Sequence, residues 1–224
     1  MRALLFKIGS FKIVTALFVI LLATGCATKQ AYDYTAYKQI RPRSILVLPP
    51  VNNSPDVKAT YSVLSHATLP LAEAGYYVFP VTLVDETFKN NGLSTPADIH
   101  AVAPKKLQEI FGADAALYIT ITQYGSSYTV LSSAAIVAAN AKLLDLKTGT
   151  LLWQGSARAS NDENRNQNNG GLAGLLIAAI VNQIANQVTD ASHSVAGVTS
   201  QRLLSAGHPN GILYGPRSPK YQTD

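Results

Sequence analysis

Residues 44–80 read SILVLPPVNNSPDVKATYSVLSHATLPLAEAGYYVFP, and their punctuation decides the fold. Ser44-Ile45-Leu46-Val47-Leu48 is a short continuous apolar run followed by Pro49-Pro50, the pattern of a strand covered on both faces and stopped where the chain can no longer donate to a ladder. After the loop Val51 to Asp56, Tyr61, Leu64, Ala67 or Thr68, and Leu71 recur at spacings of three and four. This predicts a helix over 57–74 that ends at Gly75 and is kinked or shortened by Pro70. Tyr76-Tyr77-Val78-Phe79-Pro80 is the next strand. Two strands joined by a helix lie parallel in one sheet, so the chain begins its domain as a βαβ unit.

On the C-terminal side the spacing of Val84 and Phe88 predicts a helix over 81–90, ended by Asn91-Gly92. Thr95-Pro96-Ala97-Asp98 sets a capping residue before a proline at the first helical position, opening helix that continues or restarts through Pro104 to Phe111. From Leu117 to Tyr124, apolar residues alternate with Tyr118, Thr120 and Thr122, the mark of a strand covered on one face. Gly125-Ser126-Ser127 is read as a turn, and residues 128–146 as a second long strand. Asp145 to Thr150, with Gly149 supplying a positive φ, forms a hairpin to Leu151–Arg158. The fold class is therefore α/β (α+β): one three-layer domain over 44–206 with a mixed sheet, a parallel start and an antiparallel three-strand meander. Trp153 is assigned to its core. Residues 161–171 hold five asparagines, two glycines, Asp162, Glu163 and Arg165 with no apolar residue, and read as a mobile exposed loop. Residues 172–198 read as the longest helix, with Ile177, Ile180, Ile184, Val188, Ala191 and Val195 on one stripe. Its apolar start, Leu172 to Val181, is about half of a membrane span. It is expected against the sheet or against a second subunit, with Leu172, Leu175 and Leu176 as the interface candidates. The tail, 207–224, is irregular and wraps the surface.

On the N-terminal side lies the export logic. Arg2, Lys7 and Lys12 precede an apolar run from Ile13 to Leu22, then Ala23-Thr24-Gly25-Cys26. A charged start, a greasy core too short to span a bilayer and small residues before a cut site make residues 1–25 a signal peptide. Cys26, the only cysteine, then becomes the first residue and the acceptor of lipid, and several acyl chains there hold a domain firmly at a membrane. An ordinary cleaved signal or an uncleaved anchor would be the plainer alternatives. Ala27 in place of aspartate implies the outer membrane. Residues 26–43 form a tether in which Tyr32, Tyr34 and Tyr37 suit docking onto a domain or onto another protein; a partly ordered linker is the plainer expectation.

The formal charge of +5 reflects 18 basic and 13 acidic residues; removal of the three signal cations leaves 15 against 13, or +2. Such a balance gives no case for nucleic acid. With Cys26 acylated no thiol remains for a disulfide or a thiolate metal site. His66, His100, His193 and His208 have no partner at i+3 or i+4, and there is no nucleophile elbow, phosphate loop or dinucleotide fingerprint. Neither an enzyme nor a cofactor or metal is expected.

The blocks Tyr32–Tyr37, Arg41–Pro50, Asn52–Val57 and Pro70–Pro80 resemble a family of bacterial lipoproteins of the meningococcal surface-antigen type, which has no established activity. The resemblance implies a fold similar to the TolB amino-terminal domain, and the hairpin from Asp145 to Gly155 resembles that of the curli secretion lipoprotein CsgG. It further implies a periplasm-facing accessory of transport, secretion or assembly, dimeric, with a CsgG-like channel or a transporter subunit as partner. The chain lacks the pair of amphipathic membrane-inserting strands of a pore-forming CsgG. Two other functions stay open: a module presenting a ligand to a transporter, which requires a concave apolar pocket, and a hydrolase whose site is assembled from distant residues.

Overall fold

In a computed structural model, which describes residues 32–128, 133–163 and 191–224, Asp33–Asp224 forms one unit built on a mixed sheet. Its elements are α1 (Thr35–Ile40), β1 (Ser44–Val47), β2 (Val51–Asn52), α2 (Ala59–Glu73), β3 (Tyr77–Val78), α3 (Val81–Asn90), α4 (Pro96–His100), α5 (Pro104–Phe111), β4 (Ala115–Tyr128), β5 (Ser133–Asp145), β6 (Leu151–Ser160) and α6 (Ala191–Leu204). The strand order is β3-β1-β4-β5-β6, with β2 also on β4. β1 runs parallel to β3 and β4, whereas β4, β5 and β6 form the antiparallel meander.

Three local differences from the sequence pattern have physical causes. Pro49-Pro50 interrupts the first strand without ending it: Leu48 N–H still donates to Leu117, and β2 resumes on the same neighbour, Val51 beside Thr120. Prolines remove two donors but keep the backbone extended. Gly125 does not turn the chain, and β4 runs on to Tyr128 because Gly125 to Ser127 keep partners in β5. Over its first residues β4 is covered on both faces, although Thr122 farther along is exposed as expected. Tyr118 is buried, at 5% exposure, where its ring meets His100 edge-on at 5.2 Å and lies beneath the Lys142 ammonium at 5.2 Å.

The layers follow from the period of two. Leu46, Leu48, Ala116 and Tyr118 face a cluster with Val84, Phe88, Ile99 and Leu107 from α3, α4 and α5. Their alternates Ile45, Val47, Leu117 and Ile119 are fully buried too, and α2 and α6 pack on each other with α6 against β5 and β6. Caps agree with the sequence: Thr95 accepts from Asp98 N–H with Pro96 at the first helical position, and Gly149 takes φ 74° in the β5–β6 turn, where Asp145 accepts from Thr148 N–H. α6 persists to Leu204, beyond the expected end at Val198. The earlier part of that predicted helix, residues 172–190, lies outside the described residues, as does most of the loop read over 161–171. Trp153, at 1% exposure, is a core residue, and its indole N–H donates to the carbonyl of Asn210 at 2.9 Å.

Candidate functional site

The segment that precedes the first strand is folded onto the domain by phenols. α1 is too short to be stable alone, and its one buried side chain, Tyr37, supplies the missing energy by packing. Tyr37 is 2% exposed and its hydroxyl lies 2.7 Å from that of Tyr76, which itself donates to the Leu213 carbonyl at 2.6 Å. Each phenol carries one proton. Tyr76 spends its own on Leu213, so Tyr37 is the donor between them. Tyr34, half-buried, donates to the carbonyl of Gly211. Burial, and then the neighbouring Tyr76, push the Tyr37 phenol far up, and burial raises Tyr76, so both stay neutral.

The tail that receives these bonds is itself strapped down. Gly215 N–H donates to Ala74 and Arg217 N–H to the carbonyl of Gly75. A Cβ on Gly75 would stand 2.4 Å from the Ser218 nitrogen, at a φ of +100° that side chains rarely adopt. Between segment and tail lies a cavity of about 110 Å³ lined by Tyr37, Lys38, Arg41, Tyr76, Tyr221 and Asp224 among others. Arg41 sits over the Tyr221 ring at 5.8 Å. Hydrogen bonding with Gln222, then Arg41, lowers the Tyr221 phenol.

Of the residues expected to make contacts, Cys26, Leu172, Leu175 and Leu176 lie outside the described residues. Tyr32 is half-buried in irregular chain. Tyr34 and Tyr37 turn toward the protein's own tail, so the ring of Tyr37 is not offered to another molecule. The partners they find, Tyr76 and the carbonyls of Gly211 and Leu213, were not marked in the sequence as a site. The one signal was Ile212-Leu213-Tyr214 between Gly211 and Gly215, an apolar patch in an otherwise polar tail.

The structure also assembles a cluster that spacing alone did not reveal. Ser62 Oγ lies 2.9 Å from Nδ1 of His193, Tyr124 donates to Ser62 Oγ at 2.9 Å, and the His66 and His193 rings stand 4.4 Å apart. With Tyr124 donating, the Ser62 proton is free for Nδ1. His66 Nε2 is buried without a hydrogen-bond partner among the described residues, and burial, then His193, lowers the His66 pKa. Ser62 is 7% exposed, and through its hydroxyl the cluster ties α2, β4 and α6 together. Among the described residues no three His, Cys, Asp or Glu side chains converge on a metal position.

Comparison with known proteins gives consistent matches. A family model described as "Putative lipoprotein GNA1162-like" matches residues 32–217. The "Putative lipoprotein NMB1124/NMB1162" of Neisseria meningitidis serogroup B (strain ATCC BAA-335 / MC58) is 51% identical over 207 residues, 92% of this chain and 95% of its own. The crystal structure of lipoprotein GNA1162 from Neisseria meningitidis is similar at a TM-score of 0.53 with 55% identity, over 65% of this chain and all of its own. A PelC dodecamer from Paraburkholderia phytofirmans aligns at a TM-score of 0.42 and 13% identity, over 79% of this chain and 91% of its own.

Proposed function

The chain belongs to the GNA1162-like lipoprotein family, and from that premise we propose that it is an outer-membrane lipoprotein, anchored through Cys26 and facing the periplasm. It serves as a non-catalytic accessory of an envelope transport, secretion or assembly complex. The domain divisions proposed are a signal over 1–25, an anchored segment over 26–43, the domain over 44–206 and a tail over 207–224.

The observation that carries this reading is the docked segment. A leader of the lipoprotein kind, 1–25, precedes Cys26, and α1 begins at Thr35, pinned by Tyr34 and Tyr37. A loose tether needs no such pinning; a domain held at a defined place beside a membrane complex does. The cavity beside it is small, about 110 Å³, and the larger adjoining clefts, about 280 and 360 Å³, are open and lined mostly by polar and charged residues, unlike the concave apolar pocket that a module carrying small molecules requires.

Two measurements test the proposal. Feeding cells an alkyne fatty acid should label the wild-type chain, and the Cys26→Ala variant should be unlabelled and leave the membrane fraction. Crosslinking in intact envelopes with the acylated chain as bait should recover a channel lipoprotein of the CsgG kind or a transporter subunit; capture of nothing but the chain itself, where a known envelope complex is captured, would reject the accessory role. A homodimer through Leu172, Leu175 and Leu176 is proposed in addition. Leu176→Asp should then halve the mass in solution, and an unchanged mass rejects that interface.

A further inference from the structure

Resting on the lipid anchor proposed above, we propose that the basic, tyrosine-bearing face at which the N-terminal segment enters the fold docks on the anionic phosphate headgroups of the membrane that holds the anchor. Three adjoining clefts make up this face. One runs beside Lys38 and Arg41, the second beside Arg41, Arg43 and Lys147, and the third beside Arg43 and Arg217. Lys220 adds a sixth cation above the Tyr214 ring at 5.6 Å. All six are exposed.

The carboxylates of the same clefts are turned to other uses. Asp114 accepts from the Arg43 and Ser44 amides, Asp145 from Thr148, and Asp224 from the Tyr214 amide at 2.7 Å. No salt bridge among the described residues engages the six cations; those present join Lys89 to Asp85, Lys106 to Glu109 and Arg202 to Glu163. Charge is thus segregated. Six cations meet three carboxylates here, leaving nine cations against ten carboxylates over the rest of the mature chain. The mature chain as a whole is nearly neutral, whereas this face carries a net positive charge.

Its aromatic component suits a bilayer surface. Tyr77 is 42% exposed, with the Arg217 guanidinium over its ring at 5.3 Å, and tyrosine with arginine is the pairing that settles at headgroup level. Reach selects the membrane as the occupant. Six residues, 27–32, separate Cys26 from Asp33, so over those seven steps an anchored chain holds this end of the unit within about 25 Å of the lipid. The sheet then sets the orientation. Asp114 and Asp145 mark the membrane end, β4 runs 14 residues away from it, and the far ends of β4 and β5 stand roughly 40 Å out, available to a partner.

The test uses the chain purified from bacterial envelopes and reconstituted in vesicles of phosphatidylcholine, with or without an equal part of phosphatidylglycerol. Amide exchange is followed at 38–43 and 215–222, with α4 and α5 as internal controls. Slower exchange at the two segments in anionic vesicles only, reversed by high salt and by the pair Arg43→Gln and Arg217→Gln, is the expected result. Each cation lost from an anionic surface weakens partitioning about fivefold, so the pair should do so by about 25-fold. Equal exchange in both vesicle types overturns the proposal. Soluble glycerol phosphate reproducing the protection in neutral vesicles also overturns it, in favour of a small-anion site. The mass of the Cys26 peptide reads the anchor separately. If no acyl group is present, flotation of the same chain with anionic vesicles decides the docking by itself, and failure to float overturns it.

Discussion

Replacing Tyr76 by Phe removes a single oxygen and orphans two partners. The Tyr37 hydroxyl, on a side chain 2% exposed, loses its acceptor, and the Leu213 carbonyl loses its donor. Each hydrogen bond contributes on the order of 1 kcal/mol net, and a buried donor left unpaired costs about as much again, so Tyr76→Phe should destabilise by about 2–3 kcal/mol. Tyr37→Phe removes only a donor and leaves the bond from Tyr76 to Leu213 intact, for a cost of about 1 kcal/mol. In the double variant the orphaned Tyr37 hydroxyl is gone, and the total should fall about 1 kcal/mol or more short of the sum of the singles. Urea unfolding by circular dichroism of the four proteins measures the cycle. In melting temperature Tyr76→Phe should lose roughly 4–10 °C. Limited proteolysis adds a structural readout, because cleavage over 32–43 should accelerate more in Tyr76→Phe than in Tyr37→Phe. Equal costs for the two singles, or strict additivity, would refute the directed chain from Tyr37 through Tyr76 to Leu213.

At Gly155 a Cβ would stand 2.4 Å from the Trp153 ring, so Gly155→Ala should push the indole from its place, weaken its bond to Asn210 and cost about 1–3 kcal/mol, with a changed tryptophan emission spectrum; an unchanged spectrum and melting point would show that the ring yields freely. Gly75→Ala meets both the φ of +100° and the Ser218 nitrogen, and should release the tail, seen as faster amide exchange at 215–218. Burial lowers the pKa of both His66 and His100. Below about pH 6.5 the unfolded chain therefore binds protons that the folded one resists, so stability is full above that value and declines as pH falls toward the lowered folded pKa values. His66→Asn should flatten that decline in urea midpoints measured from pH 7 to 5; an unaltered slope would mean that His66 charges as readily folded as unfolded.

The elements most legible in the sequence depend on neighbours a few residues away. The alternation in Leu117 to Ile121, the Val84 and Phe88 pair, the Thr95 cap and the Gly149 turn each record a contact or a φ within four positions, and such contacts leave a period or a punctuation mark. The βαβ start and the meander follow from these marks, because short connections leave few topologies. The limits of the same signals are visible too: two prolines remove donors but do not bend a strand away from β4, and Gly125 permits a turn without requiring one. Other features were decided only in the folded molecule. Tyr37 meets Tyr76 across 39 positions, Ser62 meets His193 across 131, and Tyr34 meets Gly211 across 177. The six cations likewise gather around three clefts from three separate stretches of chain. A pairing between distant residues has no period, and its two halves look like ordinary surface tyrosines, histidines and arginines until the sheet brings them together. The amino-acid order by itself determined most of the strands and helices of the domain; tertiary packing decided α1, which polar groups are buried in pairs and which face carries the charge.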